Sequence, residues 1–243
     1  DKTVIPQHHE QYYEEEVVHL PGCYLCSDNT NAIADLKNTE GEEGCPLETA
    51  DFVFCSFNNT WKITSKEFDI WMRLLQRNPG SILWLRSEIN IVIENLQFQA
   101  KARNIDPDRL IFAKKVDMAA HLARHQKADL FLDTFAYNAH ATALDALWAG
   151  LPVLTMQGNS FPSRVGASVL TAAGIPELIT TSEHEYESKA QWLVDHPDEL
   201  RRLKHRLIKN RLECSLFDTE QTTRHLEKIY RECWQKSTGF NSQ

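Results

Sequence analysis

The chain has 243 residues, of which 42% are hydrophobic, and its formal net charge is -8. Such a length can bury one large core or two modest ones, and no apolar run in it is long enough to span a bilayer. The acidic balance argues against general binding to nucleic acid, which usually requires a basic surface. We therefore expect a cytoplasmic globular protein that binds neither nucleic acid nor a membrane.

Residues 1–48 differ in pattern from the rest of the chain. They include an acidic stretch with little periodicity at residues 38–44, which predicts a surface loop. The chain begins with Asp1, and no signal-like apolar segment follows. We interpret residues 1–48 as the tail of a preceding lobe and a linker, and the chain as a fragment of a longer protein. His8 and His9 lack the helical spacing of metal ligands and are assigned no role.

The cysteines predict reduced thiols rather than a disulfide framework. Six cysteines in a chain of this length are too sparse for a disulfide scaffold. Cys23 and Cys26 form a C-x-x-C pair with Cys45 downstream, but structural zinc needs four ligands, and the nearest further candidate is His19. We expect three free thiols and no metal.

Strands and helices alternate from residue 51 onward. The apolar runs predict strands at 51–57, 81–86, 109–115, 130–132, 152–156 and 177–180. Amphipathic spacing predicts helices at 65–78, 89–104, 118–127, 140–150, 163–174 and over most of 182–236. This alternation is typical of an α/β fold with a parallel sheet and helices on both faces. The sequence has no GxGxxG or Walker lysine motif, which argues against a dehydrogenase and a phosphate-cleaving nucleotidase.

The most informative junction lies between the apolar run that ends at Asp133 and the helix that follows. The first N–H groups of a helix have no partner within it, so a phosphate is the expected ligand there. His140 can donate to a phosphate oxygen, Thr142 offers a hydroxyl and an amide, and Asp145 can accept from a ribose hydroxyl. The alternative is a plain helix start in which Thr142 and Asp145 form a capping box.

Two other predicted loops end at the same edge of the sheet. Lys62 follows the first strand and can reach a phosphate as a compact positive charge, although a solvated loop lysine is the alternative. His121 and Arg124 lie on the helix after the third strand. Together with His140 and Thr142, these side chains form a donor set suited to a diphosphate.

Several segments together resemble one known family. They are FCSFNNTWKI (54–63), SILWLR (81–86), LDTFAYNAHATALDALWAG (132–150), PVLTMQG (152–158), SRVGASVL (163–170) and SLFDTEQ (215–221). The chain is similar to the carboxyl-terminal lobe of the O-linked N-acetylglucosamine transferases, which include the SPINDLY proteins, and looks like a bacterial-type member. The resemblance implies a Rossmann-like lobe of a glycosyltransferase B type fold. It places the nucleotide-sugar-binding lobe at 49–218 and a carboxyl-terminal helix and tail at 219–243.

The resemblance also implies site roles. Lys62 matches the catalytic lysine that stabilises the departing diphosphate. The donor-binding positions are Asn59, Leu85, Val116, His121, Arg124, His140, Thr142 and Asp145. Two residues depart from the family pattern, because Met118 stands where animal members have a base-contacting lysine and Ala141 replaces a threonine. The donor base and sugar therefore remain open.

The implied reaction is inverting transfer of N-acetylglucosamine from UDP-N-acetylglucosamine to serine or threonine hydroxyls of proteins, without a cofactor or metal. The protein acceptor is expected to bind through repeats and a first lobe that this chain lacks, so the isolated chain is expected to be inactive. Two alternatives remain open. One is a related protein glycosyltransferase that uses GDP-fucose or UDP-glucose, and the other is a non-catalytic nucleotide-binding or recruitment module.

Overall fold

A parallel β-sheet organises the protein. The computed structural model describes residues 1–35, 47 and 49–239, and six strands form one sheet in these residues. The strands are β1 (Phe52–Ser56), β2 (Ser81–Arg86), β3 (Leu110–Ala113), β4 (Leu130–Leu132), β5 (Val153–Met156) and β6 (Ile179–Thr180). Their order is β3-β2-β1-β4-β5-β6, and every neighbouring pair is parallel. The predicted α/β fold class and all predicted strands are confirmed.

The helices follow the strands as the sequence pattern predicted. They are α1 (Ser65–Arg77), α2 (Asn90–Lys101), α3 (Met118–His125), α4 (Ala141–Trp148), α5 (Val165–Ala172), α6 (Glu183–Asp195), α7 (Pro197–Asn210) and α8 (Thr219–Thr238). The predicted helical stretch at 182–236 is divided into three helices. Pro197, at the first position of α7, cannot continue the hydrogen-bond ladder of α6, and a turn at Ser215–Phe217 separates α7 from α8.

The core lies on both faces of the sheet. All residues of β1 and β4 are buried, as expected for central parallel strands covered on two sides. Helix α1 packs against α6, while α3 and α5 both pack against α4. A capping box begins α1, in which the Thr64 amide donates to Glu67 Oε1 at 2.7 Å.

Residues 1–35 pack onto this lobe. Val4 is buried in the common core, and the Asp1 carboxylate accepts the Ser168 hydroxyl of α5 at 2.7 Å. Further along, Trp148 Nε1 at the end of α4 donates to the Asn31 carbonyl at 2.9 Å. The acidic loop predicted at residues 38–44 lies outside the described residues. None of the helices that the structure describes is both long and apolar enough to cross a membrane.

Tyr186 of α6 connects α1 with the loop after β4. Its hydroxyl donates to the main-chain oxygen of Asp133 at 3.0 Å and accepts from Trp71 Nε1 of α1 at 3.4 Å. Its ring packs edge-on against Phe135, with centroids 4.9 Å apart. Because Tyr186 is fully buried, both hydrogen bonds are shielded from water, and they link α1, α6 and the loop after β4.

We predict that Tyr186→Phe lowers the free energy of unfolding by about 1–3 kcal/mol, because it removes the hydroxyl and leaves two buried groups without that partner. Urea unfolding followed by circular dichroism measures the change. Tyr230→Phe on exposed α8 is the control and should stay within about 0.5 kcal/mol of the original. Equal stability of the two variants would contradict a linking role for the Tyr186 hydroxyl.

Candidate functional site

The candidate site lies at the carboxyl edge of the sheet, between β1 and β4. The strand order runs outward in both directions from this pair, so the loops that follow β1 and β4 diverge and leave a crevice. Ligands of open α/β sheets bind at such a switch point. The loop after β1 contains a short turn at Thr60–Lys62, and the loop after β4 leads directly into α4.

A fully buried carboxylate fixes the loop after β4. Asp133 Oδ1 accepts the amide of Ala139 at 2.6 Å and that of Thr134 at 2.8 Å, and Oδ2 accepts the Thr155 hydroxyl at 2.7 Å. Burial raises the pKa of Asp133 to about 6, although these hydrogen bonds act in the opposite direction. The loop therefore folds around the carboxylate group.

Asn58 links this network to the loop after β1. Its Nδ2 donates to Asp133 Oδ1 and to Thr134 Oγ1, both at 3.1 Å, and its Oδ1 accepts the Thr142 hydroxyl at 2.8 Å. The predicted alternative of a capping box by Thr142 and Asp145 is therefore wrong, since the Thr142 hydroxyl bonds to Asn58 and the N-cap residue of α4 is His140. Because its hydroxyl proton is used here, Thr142 can offer a ligand its main-chain amide.

The start of α4 presents main-chain amides that have no acceptor among the described residues. In the described part of the chain, no acceptor takes the amide protons of His140, Ala141 or Thr142. The dipole of the eight-residue helix adds partial positive charge at the same end. A phosphate group would satisfy these amides, as expected for a helix start at a switch point.

Lys62 reaches across the crevice toward α4. Its Nζ donates to the Asn138 carbonyl at 3.0 Å and lies 4.4 Å from the ring centroid of Tyr137. The side chain is half-buried rather than solvated, so the alternative of an ordinary loop lysine is wrong. Burial lowers the pKa of Lys62, while the nearby Asp133 charge acts against this shift. Among the described residues, no carboxylate forms an ion pair with the ammonium group.

His140 stands beside the same lysine. Its ring stacks on Tyr137 with centroids 4.7 Å apart and an angle of 26° between the planes. Its Nε2 lies 3.4 Å from the Pro162 carbonyl, which is long for a hydrogen bond. Burial lowers the pKa of His140, the Pro162 contact opposes that shift, and the Lys62 charge adds to it. The imidazole is therefore mainly neutral near pH 7.

A second group of predicted residues lies on α3. The His121 ring packs on Phe57, with centroids 5.7 Å apart, and burial followed by the charges of Arg124 and Arg86 lowers the pKa of His121 to about 4. Arg124 donates to the Lys114 carbonyl at 2.9 Å, and its guanidinium lies over the Phe57 ring at 6.0 Å. Arg124 therefore uses one of its N–H groups to hold the loop before α3.

His125 supports His121 from within the core. Its Nδ1 donates to the His121 carbonyl at 2.8 Å, and its ring meets Phe57 edge-on with centroids 4.9 Å apart. Nε2 of this buried ring has no hydrogen-bond partner among the described residues. Burial, with smaller effects of the His121 and Arg124 charges, lowers the pKa of His125 to about 3. His125 thus folds in its neutral form.

The remaining predicted positions differ in what they can offer a ligand. Asp145 is half-buried on α4, where burial raises its pKa to about 6 and the Arg86 charge opposes the shift. Leu85 has a fully buried side chain, so a ligand can reach only its main chain. Val116 is exposed before α3. Asn59 is exposed, and its side-chain oxygen accepts the amide of the turn residue Trp61 at 3.5 Å.

The structure brings the predicted residues into two groups along one edge. Lys62, His140 and Thr142 lie at the start of α4, His121 and Arg124 lie on α3, and Asp145 lies one turn into α4. The sequence pattern had not indicated four further residues of this edge. They are Asn58, Asp133, Tyr137 and Arg86. The positions of Asn58 and Asp133 directly after predicted buried strands were an available signal, whereas the roles of Tyr137 and Arg86 depend on contacts between distant segments.

The C-x-x-C pair has ordinary packing partners. Cys23 is buried, and its sulfur lies 3.2 Å from the Ser168 hydroxyl oxygen. His19, the nearest further candidate ligand, contacts the Ile5 carbonyl at 2.9 Å instead. Cys45 lies outside the described residues. Within the ranges that the structure covers, no three His, Cys, Asp or Glu side chains are grouped to hold a metal.

The sheet order and the alternation of strands and helices define a Rossmann-like α/β lobe. Comparison with family models gives a match to Glycosyl transferase family 41 over residues 41–226. The chain belongs to this family, which confirms the predicted resemblance.

The relatives are much longer than this chain. The chain is 33% identical over 240 residues to "Probable UDP-N-acetylglucosamine--peptide N-acetylglucosaminyltransferase SEC" of Arabidopsis thaliana, covering 96% of the chain and 24% of the relative. It is 35% identical over 184 residues to the UDP-N-acetylglucosamine--peptide N-acetylglucosaminyltransferase of Caenorhabditis elegans, covering 76% and 16%. A solved O-GlcNAc transferase mutant of Thermobaculum terrenum matches with a TM-score of 0.84 and 26% identity, covering 97% of this chain and 44% of that one. The chain thus spans about a quarter or less of these curated relatives.

We predict that His125→Asn makes the protein less sensitive to acid. Because the pKa of His125 is lower in the folded protein than in the unfolded chain, acid favours the unfolded chain. This contribution to stability is fully present above pH 6.5 and is lost as the pH falls toward about 3. Asparagine keeps the donor to the His121 carbonyl and removes the titration, so between pH 6 and 4 the loss of stability should be smaller by about 1.4 kcal/mol per pH unit. Asp133 and Asp145, whose raised pKa values act oppositely, remain in both proteins. Urea unfolding at several pH values measures the slopes.

Exposed His205 of α7 provides the control for this measurement. His205→Asn should change the free energy of unfolding by no more than about 0.5 kcal/mol, as expected for an exposed substitution. Parallel stability curves for His125→Asn and the original protein would show that the buried imidazole does not resist protonation.

Proposed function

We propose that this chain is the donor-binding lobe of an inverting glycosyltransferase that transfers N-acetylglucosamine from UDP-N-acetylglucosamine to serine or threonine hydroxyls of proteins. One observation carries the proposal: Lys62 extends from the loop after β1 to the Asn138 carbonyl beside the start of α4. A diphosphate at the α4 amides would then lie next to an ammonium group that is not neutralised by a carboxylate. The names of the relatives in Arabidopsis and Caenorhabditis support the donor and the acceptor class.

The two parts of the diphosphate site contribute at different stages of the reaction. The α4 amides bind phosphate charge that is already present in the ground state. When the acceptor hydroxyl attacks the anomeric carbon, the bond to the diphosphate breaks and negative charge grows on the leaving oxygen. A fixed positive charge at Lys62 stabilises that developing charge most. The reaction proposed here needs no divalent ion or cofactor.

The nucleoside lies toward α3 in this proposal. Asp145 accepts from the ribose hydroxyls, and His121 and Arg124 contact the uridine and its surroundings, with Asn59, Leu85 and Val116 in the same donor site. Because Met118 is exposed at the first position of α3, a base-contacting cation is absent from that position, and a GDP-sugar or UDP-glucose is the alternative donor. A nucleotide-binding module without activity would share the site but show no turnover.

In the proposed enzyme, the acceptor protein binds through a first lobe and repeats that are not part of this chain. All five cysteines within the described ranges are free thiols. Free thiols are typical of a reducing compartment, which supports the cytoplasm as the proposed location.

We predict that the isolated chain binds UDP but transfers no sugar to a peptide. Isothermal calorimetry with UDP, GDP and their sugar conjugates measures binding, and a chelator in the buffer should leave the affinity unchanged. Loss of binding in the chelator would contradict metal-independent recognition. Sugar transfer by the chain alone, at a rate comparable with that of an intact enzyme, would contradict the division of the site between two lobes.

We predict that Lys62→Ala and His140→Ala differ in the complete gene product, including any sequence that flanks this chain. Lys62→Ala should lower kcat about a hundredfold or more with little change in UDP affinity, because its charge acts mainly in the transition state. His140→Ala should weaken UDP binding as well as lower the rate, because His140 lies at the helix start.

Lys66→Ala is the matched control for these variants. Lys66 is exposed on the first turn of α1 and pairs with Glu183 at 3.3 Å, so its loss should leave kcat and affinity unchanged. A Lys62→Ala variant with normal kcat and only a raised KM would identify Lys62 as an ordinary binding residue.

A further inference from the structure

One aromatic ring contacts both of the side chains proposed to act on the diphosphate. The Tyr137 ring centroid lies 4.4 Å from Lys62 Nζ. The same ring stacks on His140 with centroids 4.7 Å apart, and the Trp61 ring meets it edge-on at 5.3 Å. Tyr137 therefore lies between a residue of the loop after β1 and the N-cap residue of α4.

The backbone of Tyr137 is fixed by the buried polar network. Its carbonyl accepts the Thr134 hydroxyl at 2.7 Å, and Thr134 Oγ1 in turn accepts from Asn58 at 3.1 Å. The next residue, Asn138, donates from Nδ2 to the Thr134 carbonyl at 2.8 Å. Because the surrounding main chain is held at several points, the ring has a defined position against Lys62 and His140.

The ring also preserves the charge of Lys62. A half-buried ammonium group loses hydration and needs compensation from its surroundings. The Asn138 carbonyl and the Tyr137 ring face contact the ammonium group directly, and neither carries a negative charge. A cation–π contact attracts the ammonium group without forming an ion pair, so the full positive charge stays available to an anionic ligand.

We propose that Tyr137 is a positioning residue, whose ring holds Lys62 and His140 in place for the diphosphate of the donor. This inference rests on the proposed function. In it, Tyr137 affects donor binding and turnover only through Lys62 and His140. The ring face carries the effect, and the phenolic hydroxyl is not required for it.

The test compares variants that separate the ring from the hydroxyl. Tyr137→Phe keeps the ring, whereas Tyr137→Leu keeps apolar volume without an aromatic face. Calorimetry with UDP should show a loss of affinity of about tenfold for Tyr137→Leu, within the range for an aromatic contact, and recovery to within about threefold for Tyr137→Phe. Tyr137→Met provides the same comparison if circular dichroism shows that the leucine variant does not fold.

Trp192 of α6 offers a matched control. Its ring stacks on His196 with centroids 4.4 Å apart, and Lys189 Nζ lies 5.2 Å from its centroid. Trp192→Leu thus removes the same two kinds of contact, one with a histidine and one with a lysine, at a position outside the site. UDP affinity should therefore be unchanged. An equal loss of affinity in both leucine variants would indicate general destabilisation and overturn the proposal.

Double mutants identify the neighbours through which Tyr137 acts. In a His140→Ala background, Tyr137→Leu should weaken UDP binding by less than about twofold, because the stacking partner is already absent. In the complete gene product, Tyr137→Leu should lower kcat about tenfold alone and by less than twofold when Lys62→Ala is present. Full additivity in both cycles would overturn the positioning role, since it would mean that Tyr137 acts independently of Lys62 and His140.

The outcomes also separate this inference from the proposed function. If the unmodified chain binds neither UDP nor GDP, the proposed function is wrong and the role of Tyr137 is overturned with it. If the unmodified chain binds UDP and Tyr137→Leu binds it equally well, only the positioning role is wrong. A Tyr137→Phe variant as impaired as Tyr137→Leu would show that the hydroxyl, rather than the ring, is the functional group.

Discussion

The buried carboxylate of Asp133 is the constraint on which the site depends. A charged group without exposure to water must be compensated by hydrogen bonds, and Asp133 takes them from Thr134, Ala139, Thr155 and Asn58. These donors come from three separate segments that follow or form β1, β4 and β5. Satisfying one carboxylate therefore fixes the relative position of the loops that surround the crevice.

The same constraint determines what the site can offer a ligand. Asn58 completes the network by accepting the Thr142 hydroxyl, which leaves the α4 amides as the donors that face the crevice. Asp133 also raises the pKa of Lys62 against the effect of burial, although no ion pair between them is formed in the described structure. The Asp133 carboxylate thus favours the charged form of Lys62 without forming an ion pair that would neutralise the ammonium group.

Much of the fold followed from sequence, because local periodicity determines it. The strands, the starts of α1 to α6 and the position of α4 after Asp133 were predicted, and the capping box of α1 is local to Thr64 and Glu67. The site was predictable only in part. Lys62, His140 and Thr142 were identified by their place after strand ends, but the use of the Thr142 hydroxyl by Asn58, 84 positions away, has no local signal. Contacts of that range depend on how the whole sheet assembles.

The placement of β1 beside β4 has a consequence for the order of folding. Asn58 and Thr134, which meet at the crevice, are 76 positions apart. Two strands and three helices lie between β1 and β4, the strands that these residues follow. Closing so long a segment is entropically costly, and parallel pairing of distant strands is slow. The first two strands can pair soon after synthesis, whereas the crevice can form only when β4 docks on the open side of β1. The crevice of the candidate site is therefore completed after most of one half of the sheet already exists.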